Sequence, residues 1–190
     1  NAALGFFLND VGEDSFRSGP GQPDRERILR EREREYNYEF GGDYELDLLG
    51  GRLKFIGLRR FEHSPYRQTL IQSYADGRPD EGDRFTQTAD ETETILRSEY
   101  RWSGGRNDWQ VSVAGAINQL DIENGLFTLD ADGEFVPVPF PNSTATVREK
   151  RAEAILTYGR PLSPALTLQA AAGAEYSNLV QEGANGLNRT

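Results

Sequence analysis

The sequence contains no cysteine, no methionine and a single histidine, and no stretch of it is apolar for long. Without cysteine there is no disulfide framework, which fits an exported bacterial protein that does without one. Without methionine even an initiator is missing, so the 190 residues read as a processed chain or a section of a longer one. No secretory leader stands at Asn1, and no run approaches the roughly 18 apolar residues of a membrane helix. Any membrane crossing must therefore be made by strands. The net charge of -10 excludes a nucleic-acid partner on electrostatic grounds. Glycine-rich phosphate loops, a nucleophile elbow and paired-carboxylate motifs are all missing, so neither an enzyme nor a cofactor site is expected.

What is present is aromatic and strictly alternating. Aromatics make up 11% of the chain against 36% hydrophobic residues in all, too many for simple disorder. From 36 to 48 the even positions are Tyr36, Tyr38, Phe40, Gly42, Tyr44, Leu46 and Leu48. The odd ones are Asn37, Glu39, Gly41, Asp43, Glu45 and Asp47. A period of two over this length predicts a β-strand with one oily and one acidic face. Gly50-Gly51 is suited to a two-residue hairpin turn. Folding there sets Leu48 against Leu53, Leu46 against Phe55, Phe40 against Phe61, Asp47 against Lys54 and Tyr38 against His63. Apolar then meets apolar on one face, and unlike charges meet on the other.

The same texture recurs along the chain. Ala2–Leu8 is a short apolar piece, the end of another strand, and Asn9–Asp24, rich in Gly, Pro, Asp and Ser, reads as a loop. The Arg/Glu run from Arg25 to Glu35 would stack like charges at i,i+4 in a helix, so it extends the first long strand. Further strands are expected over about 52–74, 84–102, from Trp109 onward, around 151–158 and around 166–176. A small hairpin is expected about Asp130-Ala131-Asp132-Gly133 within a long excursion over 123–145. Short links at 49–52, 103–108 and 160–164 alternate with long ones at 75–83 and 123–145. Short turns on one edge and long loops on the other are the habit of an outer-membrane barrel. The predicted fold is thus all-β, an antiparallel up-and-down meander of about six long strands forming a partial wall of a transmembrane β-barrel. Residues 1–25 are a strand end and extracellular loop, 26–180 the barrel segment, and 181–190 a loop.

In that reading a lipid-facing aromatic girdle comprises Tyr36, Tyr38, Phe40, Tyr44, Tyr100, Trp102, Trp109, Tyr158 and Tyr176, because Tyr and Trp favour membrane interfaces. The lumen-facing charges are Asp43, Glu45, Asp47, Lys54, Arg60, Arg97, Glu99, Arg101, Arg151 and Glu153. Two alternatives keep the same strands: a passive porin-type barrel, or a soluble β-sandwich whose oily faces pack on each other. Arg30, Arg32 and Arg34 form a comb that could grip lipopolysaccharide phosphates or simply make cross-strand ion pairs. Asp130, Asp132 and Glu134 echo part of a calcium loop, but the third ligand position and the distal Glu are missing, and a plain turn is the better reading. His63 lacks partners for catalysis or metal binding and belongs to the surface or girdle.

At Leu49-Gly50-Gly51-Arg52-Leu53-Lys54-Phe55-Ile56-Gly57-Leu58-Arg59-Arg60, followed by Phe61-Glu62-His63-Ser64-Pro65, the chain resembles the barrel of TonB-dependent outer-membrane receptors. Thr94–Trp102 with Trp109–Asn118, and Ala152–Tyr158 with Leu166–Tyr176, resemble further strands of such a barrel. The resemblance covers roughly 26–180 as strand texture. It implies energised uptake of a scarce ligand, such as an iron–siderophore complex, across the outer membrane of a Gram-negative bacterium. The implied partners are outer-membrane lipid and lipopolysaccharide, a small-molecule ligand, and the TonB complex reached through a plug domain that this sequence does not contain. Nor does it end on a terminal aromatic strand.

Overall fold

The computed structural model describes residues 1–141 and 143–183. Every regular element is a strand: β1 (Ala2–Gly19), β2 (Gln22–Leu48), β3 (Gly51–Tyr74), β4 (Glu81–Gly104), β5 (Asn107–Leu129), β6 (Phe135–Val138), β7 (Thr144–Ser163) and β8 (Leu166–Gly183). All pair antiparallel in one open sheet of order β1-β2-β3-β4-β5-β7-β8, with the short β6 beside the far end of β5. This is the expected up-and-down meander. Its long strands are seven rather than about six.

The extra strand comes from Asn9–Asp24, which is not a loop. β1 runs through these residues to Gly19 and pairs with β2 from Ala2↔Phe40 to Gly19↔Gln22. The chain reverses at Pro20-Gly21, where Gly21 has φ +78°. Proline at the second position and a left-handed glycine at the third are what a type II turn requires. The polar residues of β1 are held extended by β2, whose backbone groups they satisfy, and apolarity is not needed for that. Three connections on one edge (49–50, 105–106 and 164–165) are two residues long. On the other edge the links are the tight 20–21, the six residues 75–80, and the long 130–143 that includes β6.

The β2–β3 register also differs from expectation. The turn residues are Leu49-Gly50, both at positive φ (47° and 75°), rather than Gly50-Gly51. Pairing then runs Leu48↔Gly51, Asp47↔Arg52, Leu46↔Leu53, Glu45↔Lys54 and Tyr44↔Phe55. Both registers keep the oily face oily, because a slip of two residues preserves side-chain parity. The observed one sets Tyr44 against Phe55 instead of Gly57 and lets Glu45 and Asp47 both reach Arg52 at 3.2 and 3.5 Å. Gly51 tolerates no side chain, since a Cβ there would lie 2.6 Å from the Tyr100 hydroxyl and from the Arg101 carbonyl oxygen. That hydroxyl donates to Leu48 O at 3.0 Å, latching β4 onto the turn. At Pro65, which lacks an N–H, β2–β3 pairing skips from Glu33↔Tyr66 to Tyr36↔His63, while β4 still pairs through Pro65↔Thr88.

The sheet is one layer thick. Among the described residues Ala116 is the only buried apolar side chain. The chain exposes 13083 Å², against about 9,100 Å² for a compact protein of this size. The soluble β-sandwich alternative requires a second layer packed on the oily face; among the described residues all strands belong to one sheet.

Candidate functional site

Ladder parity places all nine expected girdle residues on one face. The registers from β2 to β8 align the even residues of β2 and β4 with the odd residues of β3 and β5 and the even residues of β7 and β8. Tyr36, Tyr38, Phe40 and Tyr44 of β2, Tyr100 and Trp102 of β4, Trp109 of β5, Tyr158 of β7 and Tyr176 of β8 all obey it. Seven of the nine gather into two groups. Near the two-residue turns, Tyr100, Trp102, Trp109 and Tyr158 form a continuous aromatic row, with successive ring centroids 5.3, 6.2 and 4.5 Å apart. Further along the strands, Tyr38 packs on Phe40 at 5.5 Å and stacks on Phe61 at 5.3 Å, and Tyr36 lies 5.0 Å from His63. Tyr44 and Tyr176 stand apart, each 67% exposed. Between the two groups the face carries exposed Phe55, Leu96, Val113 and Leu156.

The opposite face holds the charges. Lys54 pairs with Asp43 at 3.2 Å, diagonally rather than with Asp47, as the altered register requires. Glu99 is gripped from both sides along its own strand by Arg97 at 2.8 Å and Arg101 at 2.9 Å, and is 7% exposed. Arg60 pairs with its neighbour-but-one Glu62 at 2.8 Å. Arg151 and Glu153 share this face, but Glu153 sits opposite Glu175 and neither makes an ion pair among the described residues. Arg52, which bridges Glu45 and Asp47, is missing from the expected set; its signal was its place immediately after the glycine pair, close to the acidic line of Glu45 and Asp47.

The remaining candidates resolve into structural roles. Arg30 and Arg32 of the comb are bound across the strand pair to Asp14 at 2.5 Å and Asp10 at 2.9 Å, while Arg34 faces Leu8. The Arg30 guanidinium holds the Asp14 carboxyl below its ordinary range. Asp130 is engaged by its own turn, accepting from the N–H groups of Asp132 at 3.0 Å and Glu134 at 2.9 Å. That occupies the carboxylate a calcium loop would direct at its ion. His63 lies opposite Tyr36, not Tyr38, and its Nδ1 contacts Asp90 Oδ1 at 2.5 Å, a partner that the sequence did not reveal.

No protein-family model matches the chain, and no curated protein does either. Among solved structures it is similar to the unliganded ferric citrate transporter FecA, with 11% identity over 97% of this chain and a TM-score of 0.39. It is also similar to the alcaligin outer membrane receptor FauA of Bordetella pertussis, with 12% identity over 96% of this chain and a TM-score of 0.25. The chain spans 34% and 37% of those two proteins. At these values the likenesses assign no family, and function rests on the chain's own residues.

Proposed function

We propose that this chain is a section of the wall of an outer-membrane β-barrel, and that the barrel is an uptake transporter of the TonB-dependent receptor kind rather than an enzyme. The observation that carries the membrane reading is an exposed apolar face, bounded by two aromatic groups, on a sheet without a core. Ten residues of β3 separate Phe61 in the upper group from Gly51, which shares a ladder row with Trp102 in the lower one. Ten residues make about 33 Å along a strand, or about 25 Å along the membrane normal at barrel tilt. That is the height of the apolar band of outer-membrane barrels.

Two further features support a large barrel. Strands of 18 to 27 residues are about twice what the membrane needs, so half of each projects beyond it. Seven strands alternate along the sheet path, so β1 and β8 run parallel to each other and cannot close antiparallel on themselves. Closure needs an odd number of further strands from outside this stretch. The transporter assignment, with its scarce small-molecule ligand and plug-borne contact to the TonB complex, is supported by the resemblance of Leu49–Pro65 and the strands that follow.

The membrane reading is tested by purifying the complete polypeptide and comparing circular dichroism and light scattering with and without detergent. Strand signal and monodispersity only in detergent are expected. A monodisperse, folded protein in plain buffer would overturn the proposal. Transport is tested by ligand uptake into cells with and without an intact TonB system; uptake unaffected by its loss would point to a passive pore.

A further inference from the structure

On the aromatic face each strand changes from apolar to polar at a definite residue, and those residues do not lie on one ladder row. Reading away from the two-residue turns, the last apolar outward residues are Leu8, Tyr36, Phe61, Leu96, Ile117, Ala152 and Tyr176 in β1, β2, β3, β4, β5, β7 and β8. The next outward positions are Asp10, Arg34, His63, Thr94, Gln119, Lys150 and Asn178. Leu8 pairs with Arg34 of β2. Tyr176 traces through Ala152, Gly115, Leu96 and Gly57 to Gly42 of β2. Traced to β2, the seven boundary residues fall at positions 34, 36, 38, 42, 40, 42 and 42, so across six strand-to-strand steps the boundary moves eight residues, climbing from β1 to β4 and staying within two residues of one row beyond it.

Eight residues are about 26 Å of strand, and six steps are about 29 Å of sheet. Averaged from β1 to β8, the boundary thus crosses the ladder rows at about 40°, within the 35–45° by which strands of a closed barrel lean from its axis. A polarity boundary set by local chemistry has no reason to take that angle, whereas a flat lipid surface cutting a tilted sheet must. We infer that this slanted line marks where outer-leaflet hydrocarbon gives way to headgroups, and that hydrocarbon covers the face from it down to a parallel line through the aromatic group of Trp102, Trp109 and Tyr158. The inference rests on the membrane-wall reading and adds to it the depth of each outward side chain.

Between the boundary and the Trp102–Trp109–Tyr158 row, one formal charge, Arg59, stands on this face among the described residues. It lies one outward position short of Phe61, and its Nη1 donates to Oγ1 of Thr94 at 2.5 Å. Thr94 is the first polar position of β4, so the guanidinium is carried to the boundary while its stem stays in the apolar band, as long basic side chains do at membrane interfaces.

Row-mates on opposite sides of the line test the slant. Phe40, Ile117, Lys150 and Asn178 share one ladder row, and Tyr38 and Gln119 share another. The sequence has no cysteine, so single-cysteine variants here carry one label each. Phe40→Cys, Tyr38→Cys, Gln119→Cys, Lys150→Cys and Asn178→Cys are made in the complete polypeptide, labelled with a nitrobenzoxadiazole dye and placed in phosphatidylcholine vesicles. Labels at 40 and 38 should shift their emission to the blue and escape quenching by aqueous iodide; those at 119, 150 and 178 should remain quenched. Leu8→Cys and Tyr176→Cys, eight residues apart in row terms, should be shielded alike, which keeps the test open if one variant does not fold. Lipid-dependent shielding that is equal along each row would overturn the slant and leave the membrane reading standing. Labels that all stay open to iodide after lipid is added would overturn both.

Discussion

Val113 offers the sharpest test of which solvent the aromatic face meets. It points outward from β5, four residues from Ile117 at the upper boundary and four from Trp109 in the lower aromatic row. Four residues are about 13 Å of strand, or about 10 Å of depth at barrel tilt, so Val113 lies near the bilayer midplane. In the chain itself it is 54% exposed. If that face met water, Val113→Arg would replace one solvated side chain by another and change stability by no more than about 0.5 kcal/mol. If it meets hydrocarbon, the same change costs about 2–4 kcal/mol, the midplane penalty for arginine on a barrel's lipid face. The neighbouring Ala114→Arg, on the charged face of the same strand, serves as the control and should cost much less. The assay is reversible urea unfolding of the complete polypeptide in lipid vesicles, followed by tryptophan fluorescence. A Val113→Arg variant within about 0.5 kcal/mol of the parent, or one no worse than Ala114→Arg, would refute the reasoning.

Three other expectations follow from particular contacts. Glu99→Gln leaves Arg97 and Arg101 facing each other across a neutral amide in a poorly solvated spot, and should cost about 1–3 kcal/mol in the same urea assay; adding Arg97→Gln should recover part of that loss. Leu49, 91% exposed, holds the left-handed conformation that leucine disfavours, so Leu49→Asn should raise stability by about 0.5–1 kcal/mol. No gain would mean that the turn adopts another geometry. In the 75–80 link, the Arg78 guanidinium, bonded to Asp76 at 2.7 Å, holds that carboxyl below its ordinary value. A carboxyl lowered by folding contributes fully above its unfolded pKa, about 3.9, and the contribution disappears as pH falls through the lower folded value. NMR titration of Asp76 should show the depressed midpoint, and Arg78→Gln should move it back up; an unmoved midpoint would break the assignment.

The faces of this protein are legible in its sequence because side-chain direction along a strand depends only on parity. Tyr36 through Leu48 alternate so strictly that no pairing of the strand, short of a one-residue slip, could mix its oily and acidic sides. The same parity sorted Tyr100 and Trp102 from Arg97, Glu99 and Arg101 before any partner strand was known. Parity is blind to a slip of two, however. Both hairpin registers keep Leu46 against an apolar residue, and the observed one goes with Tyr100 of β4 reaching over Gly51 to Leu48 O and with Arg52 shared by Glu45 and Asp47 inside the hairpin. Residues 9–19 were illegible for a related reason. Nothing in Asn9–Gly19 alternates by hydrophobicity, and the stretch is a strand because β2 lies beside it and pairs with its backbone. The slant of the polar boundary is likewise invisible in one strand, since it exists only as an offset between neighbours. Local alternation determines which way a side chain points; only the pairing of strands decides what it faces and how deep it lies.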